Sequence, residues 1–388
     1  MHTIVVDLGF GDCGKGTVVD YLCATREVDT VVRFNGGAQA AHTVVMADGR
    51  KHTFAQFGAG SLRDGVRTHL SRYMVVDPLS LVTEAEHLVA LGAGDVWRRL
   101  SVDRAALIST PYHREANRAK EIARGARRHG SCGMGVGEAM AYALEHPDDA
   151  PRAGDCAEPA VLRRKLATLK QRLGSGGPPV EACLAAYQGF AATVRLVDGF
   201  RAEGPCVFEG AQGVLLDEWH GFHPHTTWST TTFANAEALL DGEPAYRLGV
   251  LRTVTTRHGA GPLPTEDPGL GITDPNNPAN DWQGPFRVGH FDAPLHRYAI
   301  EAAGGVDGLA LTHLDLRVHR MCRSYRDNPL RVGPPGDLEW QAAMTRALAA
   351  VEPQYERVTD WVPAVEEALG APVVIESWGP TAQDKKPA

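Results

Sequence analysis

The chain has 388 residues, 43% of them apolar and 22% charged, which is a globular composition with enough length for a large core. This composition excludes an intrinsically disordered chain, and no apolar run approaches the roughly 18 residues of a membrane-spanning helix. The net charge of −8 argues against nucleic acid as a partner. The seven cysteines form no C-x-x-C pair, and the first residues indicate a strand rather than a signal peptide. We therefore expect a cytoplasmic protein with no membrane partner.

The first element is predicted to be a buried strand that leads through a glycine-rich loop into a helix. Residues 1–8 are a short apolar run with β-branched members, and the apolar run 18–22 is typical of a helix. Between them, Gly9, Gly14 and Lys15 have the spacing of a phosphate loop, in the strand–loop–helix context that such a loop requires. Backbone N–H groups and the helix N-terminus would bind phosphate oxygens, and Lys15 would add positive charge.

This loop departs from the usual motif in two ways. Gly16 stands where Ser or Thr is expected, and the hydroxyl follows one residue later at Thr17. Asp12 places a carboxylate inside the phosphate cradle, where it repels the ligand unless a metal lies between them or the carboxylate takes part in chemistry. The alternative interpretation is a tight turn in which Asp12 only caps the helix.

A second glycine-rich loop follows the next predicted strand, residues 30–34. Gly36 and Gly37 come directly after this strand, and His42 precedes another apolar run. A lone histidine is often structural. However, α/β sheets bind ligands beyond the carboxyl ends of their strands, so two such loops in succession favour a functional His42.

The remaining sequence alternates further helices and strands with glycine turns. Asp77 and Pro78 open a helix that is predicted to close near Gly92. Further helices are predicted at 161–173, 180–197 and 362–369, and a third glycine-rich loop at 130–137.

Segments along the whole chain resemble, in order, adenylosuccinate synthetase, a family of purine-nucleotide ligases. The matching segments are Gly11-Asp12, Gly14-Lys15-Gly16, Val32-Arg33-Phe34, Gly36-Gly37, Ala41-His42-Thr43, Glu209-Gly210-Ala211-Gln212-Gly213, Leu215-Leu216-Asp217, His220-Gly221, Thr255-Thr256-Arg257, Leu314-Asp315 and Ser377 with Gly379-Pro380. The resemblance identifies the chain as a divergent member or paralogue of that family.

The resemblance implies an α/β fold with a large, mostly parallel central sheet, a phosphate-loop-like nucleotide site and helical subdomains. Residues 1–388 would form a single domain with a helical insert at about 113–200, and two copies would form a homodimer. The implied enzyme is a carbon–nitrogen ligase that uses small-molecule substrates, Mg²⁺ and a nucleoside triphosphate, GTP or ATP. It would phosphorylate the 6-oxo group of an inosine-type nucleotide, which the amine of L-aspartate would then displace, giving an N6-succinyl purine nucleotide, GDP and phosphate.

The family's site residues carry over position by position. Catalysis would belong to Asp12, His42 and Lys15. The nucleoside triphosphate would contact Gly11, Gly14, Gly16, Thr17, His313, Asp315, Ser377 and Gly379. The purine monophosphate would contact Gln39, Ser131, Cys132, Arg152, Gln212 and Thr227, where Arg152 would reach the nucleotide of a second subunit. The amino acid would contact Thr256, Arg257 and Arg287, and the metal would lie at Asp12 and Ala41.

Departures from the family leave the substrates open. Cys132 and Met134 replace a Thr and an Arg, and Gln39 and Ala41 replace an Asn and a Gly. The arginine-rich loop that binds the carboxylates of L-aspartate keeps only Arg287, although bidentate arginines are the natural ligands of a dianion. A paralogue that uses another 6-oxopurine nucleotide, such as GMP or dGMP, or another amine therefore stays possible. From another class, a GTPase or regulatory nucleotide binder is the alternative, although such a protein would not need His42.

Overall fold

A computed structural model of the chain describes residues 1–125, 130–274, 282 and 284–388. The strands are β1 (His2–Asp7), β2 (Thr30–Arg33), β3 (His42–Val45), β4 (Lys51–Phe54), β5 (Arg67–Leu70), β6 (Val75–Val76), β7 (Leu100–Asp103), β8 (Leu107–Ile108), β9 (Arg195–Val197), β10 (Cys206–Glu209), β11 (Ala245–Arg252), β12 (Val254–His258), β13 (Phe286–Asp292), β14 (Gly308–Thr312), β15 (Arg320–Tyr325), β16 (Pro353–Arg357), β17 (Val373–Ser377) and β18 (Lys385–Pro387). The helices are α1 (Lys15–Thr25), α2 (Pro78–Ala90), α3 (Pro111–Arg124), α4 (Val136–Glu145), α5 (Pro159–Arg172), α6 (Val180–Thr193), α7 (Ala234–Leu240), α8 (Ala293–Ala302), α9 (Leu338–Leu348) and α10 (Trp361–Leu369).

A ten-stranded sheet forms the centre of the molecule, with the order β18-β17-β14-β11-β1-β10-β2-β5-β7-β9. Every neighbouring pair in it is parallel except β17 and β18, which are antiparallel. The predicted α/β fold with a large, mostly parallel central sheet is therefore confirmed.

The central position of β1 follows from the apolar run Ile4-Val5-Val6 in its middle. Val5 packs into the core on one face of the sheet, whereas Ile4 and Val6 pack into the core on the other face. A strand buried on both faces has no polar side to alternate with, which is typical of parallel sheets covered by helices. Because β1 is central, the loop that follows it opens in the middle of the molecule.

Smaller units flank this sheet. Strands β12, β13, β15 and β16 form a second sheet, and β3 pairs with β4 in an antiparallel hairpin. The helical insert expected at about 113–200 includes residues 126–129, which lie outside the described residues; its described part holds most of α3, all of α4 to α6, and β9. No helix in the described part of the chain is long and apolar enough to cross a membrane.

The predicted helix 180–197 is wrong at its end. Helix α6 stops at Thr193, and Arg195–Val197 form β9, the edge strand that pairs with β7. Val194 already has an extended backbone, with ψ of 153°. The β-branched pair of Thr193 and Val194 disfavours continued helix, and the open edge of β7 offers the following residues ladder hydrogen bonds.

Candidate active site

A cleft of about 550 Å³ opens at the carboxyl ends of the central strands. Its lining includes the predicted residues Gly11, Asp12, Gly14, Lys15, Gly16, Thr17, Gln39, Ala41, His42, Gln212, Arg257, His313, Asp315, Ser377 and Gly379. Apart from Arg257, which is in β12, these residues lie at or just beyond the carboxyl ends of β1, β2, β10, β14 and β17. Open α/β sheets bind their ligands at this position.

The glycine-rich loop is organised by Asp7, a residue that the motif did not single out. Its buried carboxylate accepts the backbone N–H groups of Gly9 at 2.8 Å and Cys13 at 3.0 Å. It also lies 3.0 Å from Nζ of Lys15, which donates a second hydrogen bond to the carbonyl of Gln212 at 2.7 Å. Lys15 is therefore a buried charge fixed in place before any phosphate arrives.

Backbone strain is concentrated at the cleft. Among the described residues, the non-glycine positions with positive φ are Asp12 (60°), Gln212 (57°), His313 (57°) and Asp241 (48°), and the first three line the cleft. Such conformations cost on the order of 1–3 kcal/mol each and persist where a site requires a particular side-chain direction. The positions of these three side chains are thus imposed by the fold.

The carboxylate of Asp12 lies close to His258, with 3.1 Å between Oδ2 of Asp12 and Nε2 of His258. Burial acts to raise the pKa of Asp12, but the hydrogen bond and charge of His258 oppose it. The charges of Lys15 and Arg252 act in the same direction, and the pKa of Asp12 ends below its ordinary value. Asp12 is therefore ionised at neutral pH and can accept a proton.

His42 is oriented by a buried carboxylate. Its Nδ1–H donates to Glu209 at 2.6 Å, and Glu209 also accepts the backbone N–H of Ala59 at 2.9 Å. Burial outweighs the opposing effect of Glu209, so the pKa of His42 lies below its ordinary value. The ring is neutral at neutral pH, and its proton on Nδ1 leaves Nε2 unprotonated.

The unusual Gly16 has a steric explanation. A Cβ atom at this position would lie 2.7 Å from Cβ of His42, which is closer than real contacts allow. The start of α1 and the start of β3 approach each other so closely that only glycine fits. The hydroxyl of Thr17, one residue later, donates to the carbonyl of Pro380 at 2.9 Å and so ties the loop to the opposite wall.

The opposite wall consists of the ends of β14 and β17. Nδ1 of His313 lies 2.8 Å from the hydroxyl of Thr312, and the backbone N–H of Leu314 donates to the carbonyl of Ser377. Lys385 donates to the carbonyls of Gly379 and Thr381 and holds the turn between them. This wall is therefore rigid before a ligand binds.

Two glutamines present unpaired acceptors to the cleft. The side-chain Oε1 atoms of Gln39 and Gln212 are buried and have no hydrogen-bond partner within the described residues. A buried acceptor without a partner costs about 1–3 kcal/mol. A ligand that donates hydrogen bonds here would remove that cost.

Four of the six residues predicted to contact the purine monophosphate do not line the cleft itself. Ser131 and Cys132 belong to the loop 130–137. At the end of this loop, Val136 faces Gly37, which also lies next to Oε1 of Gln39, and Gly137 faces the ring of Trp228. Thr227 donates its backbone N–H to the cleft residue Leu216. Arg152 points elsewhere and donates to the carbonyl of Ala105 at 2.7 Å.

The predicted amino-acid residues are occupied by contacts within the protein. Arg257 lines the cleft but donates to three backbone carbonyls and stacks on Phe10 at 4.2 Å. Arg287 lies outside the cleft, pairs with Glu266 and donates to the carbonyls of Gly259 and Gly261. Thr256 is buried, and its hydroxyl lies 3.5 Å from the carbonyl of Gly11.

Sequence reasoning missed Arg252 as a member of the site. Only 2% of this residue is exposed, and its guanidinium lines the cleft and donates to the carbonyl of Asp12 at 3.1 Å. Its position at the carboxyl end of the central strand β11 was the available signal.

The cleft offers oxygen donors that fit Mg²⁺. Asp12 supplies an ionised carboxylate, and Ala41, an exposed residue, lines the same cleft and could supply its backbone carbonyl. No group of three or more His, Cys, Asp or Glu residues within the described ranges could hold a metal alone. Proteins usually bind Mg²⁺ through one or two carboxylates together with substrate phosphates, a ligand set to which Asp12 would contribute.

Fold and cleft together define a phosphate-loop enzyme of the α/β class that acts on nucleotides. The chain matches the adenylosuccinate synthetase family model over residues 4–372. It therefore belongs to the adenylosuccinate synthetase family, as the resemblance in sequence implied.

Curated members of the family are similar in sequence to this chain over nearly their full length. The chain is 31% identical to adenylosuccinate synthetase of Oleidesulfovibrio alaskensis, with 98% of this chain and 97% of the relative covered. It is 30% identical to that of Neisseria gonorrhoeae, with 99% and 97% covered.

Solved structures show the same fold. Fully ligated adenylosuccinate synthetase from Plasmodium falciparum matches with a TM-score of 0.85 at 22% identity, covering 100% of this chain and 99% of that one. Succinoaminodeoxyadenylate synthetase of cyanophage S-2L, bound to dGMP and to dATP as an energy donor, matches with a TM-score of 0.66 at 21% identity, covering 99% and 94%.

The protein is thus a carbon–nitrogen ligase of purine biosynthesis that acts on small-molecule substrates. Its family transfers a phosphoryl group to the 6-oxo group of a purine nucleotide and displaces it with the amine of L-aspartate. The family depends on Mg²⁺ in general.

Proposed function

We propose that the protein joins L-aspartate to C6 of inosine monophosphate, with GTP as the phosphoryl donor, in the cytoplasm. One observation carries the proposal: Asp12, Lys15 and His42, which come from two separate loops, line a single cleft at the carboxyl ends of the central strands. The seven free cysteines suit a reducing compartment.

Asp12 acts first, as the general base. The oxygen of a 6-oxopurine is a poor leaving group, and phosphorylation makes it a good one only after N1 has lost its proton. Asp12 is ionised and near the phosphate loop, so it can remove that proton while the triphosphate is bound. His258, at 3.1 Å, keeps the carboxylate ionised until the purine donates its N1–H.

His42 acts on the transferring γ-phosphoryl group. The neutral ring has an unprotonated Nε2, and the negative charge of an arriving triphosphate favours its protonation. The resulting Nε2–H donates to the transferring group, while Glu209 compensates the charge of the imidazolium through Nδ1. Glu209 thus has the orienting role that a carboxylate has in catalytic triads.

Lys15 and the loop amides stabilise the remaining phosphate charge. Mg²⁺ held by Asp12 and the carbonyl of Ala41 would neutralise part of the charge that develops on the triphosphate. Asp315, His313, Ser377 and Gly379 form the wall on which we place the base of GTP.

We place the purine monophosphate along Gln39 and Gln212, whose orphaned side-chain oxygens accept its donors. Thr227 and the loop with Ser131 and Cys132 adjoin this wall and would contact its phosphate. Arg152 lies away from the cleft of its own chain, so we propose that it serves the nucleotide of a second copy in a homodimer.

A second candidate is a paralogue with another 6-oxopurine nucleotide or another amine donor. It is favoured by the occupied guanidinium groups of Arg257 and Arg287, which leave the dianion L-aspartate without a ready arginine fork. For L-aspartate to bind, at least one of these guanidinium groups must exchange its protein partners for the substrate.

The test is phosphate release by the purified protein with GTP and Mg²⁺, with products identified by mass. IMP, GMP and their deoxy forms are supplied separately, each with and without L-aspartate. The proposal predicts phosphate and a succinyl nucleotide only with IMP and L-aspartate together. Product with a guanine nucleotide would establish the paralogue. No aspartate-dependent product with any purine would exclude L-aspartate, and phosphate release without any purine would indicate a GTPase.

A further inference from the structure

A second cleft lies at the amino ends of strands in the central sheet. Thr30, Arg67, Leu100 and Arg195 are the first residues of β2, β5, β7 and β9, and they line a cleft of about 290 Å³. Because these strands are parallel, their amino ends lie together on the side of the sheet opposite to the carboxyl ends, where the catalytic cleft opens. The second cleft is therefore a separate site.

This cleft is basic on a protein whose net charge is −8. Its lining contains Arg67, Arg98, Arg99, Arg195 and Arg201. Two of them are neutralised: Arg67 pairs with Asp29 and with Glu203 at 2.6 Å, and Arg99 pairs with Asp95 at 2.8 Å.

The other three arginines, Arg98, Arg195 and Arg201, are exposed. Their side chains make no hydrogen bond or ion pair with any residue that the structure describes. All three line the same cleft, whose lining carboxylate, Glu203, already pairs with Arg67, so their positive charge is available to an anion.

The cleft also has a buried polar wall. His69 is only 2% exposed; its Nδ1 lies 3.0 Å from the hydroxyl of Ser101, and its Nε2 has no partner in the described part of the chain. Burial and the charge of Arg195 lower the pKa of His69 to about 4, so the ring is neutral. If Nδ1 accepts the Ser101 hydroxyl, the proton sits on Nε2 as one more donor. The ring of Phe200 packs on His69 at 5.0 Å and also lines the cleft.

We propose that this second cleft binds a small phosphorylated anion through Arg195, Arg201 and Arg98. Guanidinium groups bind phosphate through paired N–H donors, and several of them can share one phosphate. The volume is at the lower end of small-molecule sites, which span roughly 300–1,000 Å³. It fits inorganic phosphate or a mononucleotide whose base lies on Phe200.

The test is calorimetric titration with inorganic phosphate at constant ionic strength. The R195A/R201A variant is compared with the wild type and with R346A/R357A, which removes two other exposed arginines, on α9 and β16 and outside both clefts. Phosphate binding in the catalytic cleft is common to all three proteins and cancels in the comparison. We expect one class of phosphate site to weaken at least tenfold in R195A/R201A only.

Cytidine monophosphate is the second probe and distinguishes the source of the phosphate. Tighter binding than inorganic phosphate, reduced by Phe200→Leu, would assign a nucleotide, whereas similar affinities that Phe200→Leu leaves unchanged would assign phosphate itself. Thermal unfolding of each variant establishes that it is folded. Binding of both probes that is the same in R195A/R201A and in the wild type would overturn the proposal.

Discussion

Glu209 connects the buried core to the reactive face of the cleft. It has no exposed side-chain surface, it ends β10, and it fixes His42 through a 2.6 Å hydrogen bond. A carboxylate in this position sets the tautomer of the imidazole and stabilises its charged form.

Replacing Glu209 by Gln should therefore lower kcat on the order of 10²-fold, because an amide can neither compensate an imidazolium nor enforce the Nδ1–H tautomer. Calorimetry should find GTP affinity nearly unchanged. The matched control is Glu84→Gln, a buried carboxylate that accepts the backbone N–H groups of Ala55, Gln56 and Phe57. This control should lose stability without a specific loss of kcat, and equal kcat in both variants would contradict the role of Glu209.

Gly16 provides a steric test. Gly16→Ser restores the usual phosphate-loop residue type, but its Cβ would meet His42 at 2.7 Å. We expect displacement of His42 and at least a tenfold loss of kcat, measured by phosphate release. Gly189→Ala in α6, where an added Cβ has no neighbour within 4 Å, is the control and should gain roughly 0.5–1 kcal/mol of stability. A fully active Gly16→Ser variant would show that the close approach of position 16 to His42 does not determine kcat.

The sequence alone could predict those residues of the cleft that belong to local motifs. Asp12, Lys15 and His42 stand in glycine-rich loops at strand ends, and the structure brings them to one cleft. Arg252 could not be found in this way, because its contact with Asp12 joins positions 240 apart in the chain. That contact exists only once β1 and β11 are neighbours.

Among the secondary-structure elements, α8 has Asp292 as its N-cap, a buried residue that also ends β13. Its carboxylate accepts the N–H of Leu295 and the hydroxyl of Tyr325, yet burial raises its pKa to about 7. A raised carboxyl pKa means that the folded state binds the proton more tightly than the unfolded state. Stability is therefore lost as pH rises from the unfolded pKa near 4 to the folded pKa near 7.

Asp292→Asn keeps a good N-cap and removes the ionisation. The variant should match the wild type near pH 4 and exceed it above pH 7, by at most about 4 kcal/mol for a shift of roughly three pKa units. Urea unfolding at pH 5 and pH 8 measures the difference. Asp337→Asn, at the exposed N-cap of α9, is the control and should show no such pH-dependent gain. A wild type that is more stable than Asp292→Asn at pH 8 would contradict this interpretation.

The elements that sequence predicted best are those with a strong local pattern. β1 could be recognised from its apolar run, and α2 from Asp77 and Pro78 at its start. β9 could not, because its three residues are strand only through pairing with the edge of β7. Local propensity does not encode which sheet edge is open.

For the whole molecule, the role that we propose for Arg152 needs two copies of the chain for each complete site. Arg152 does not line the cleft of its own chain, so Arg152→Ala and Asp12→Asn would damage different halves of a shared site. Mixing the two inactive variants should restore about a quarter of the wild-type activity, because half of the random dimers carry one intact site. Sedimentation should show a dimer throughout. No recovery in a mixture that exchanges subunits would place Arg152 outside catalysis.

In the proposed mechanism, Asp12 removes a proton from the purine while the cleft binds the triphosphate. The most direct measurement of this step is kcat and GTP affinity of Asp12→Asn, beside Asp241→Asn, since asparagine tolerates the positive φ of both positions. We expect Asp12→Asn to lose turnover on the order of 10³-fold with GTP affinity nearly unchanged, and Asp241→Asn to stay fully active. Turnover of Asp12→Asn within tenfold of the wild type would contradict the role of Asp12 as general base and would leave it a structural role in the loop.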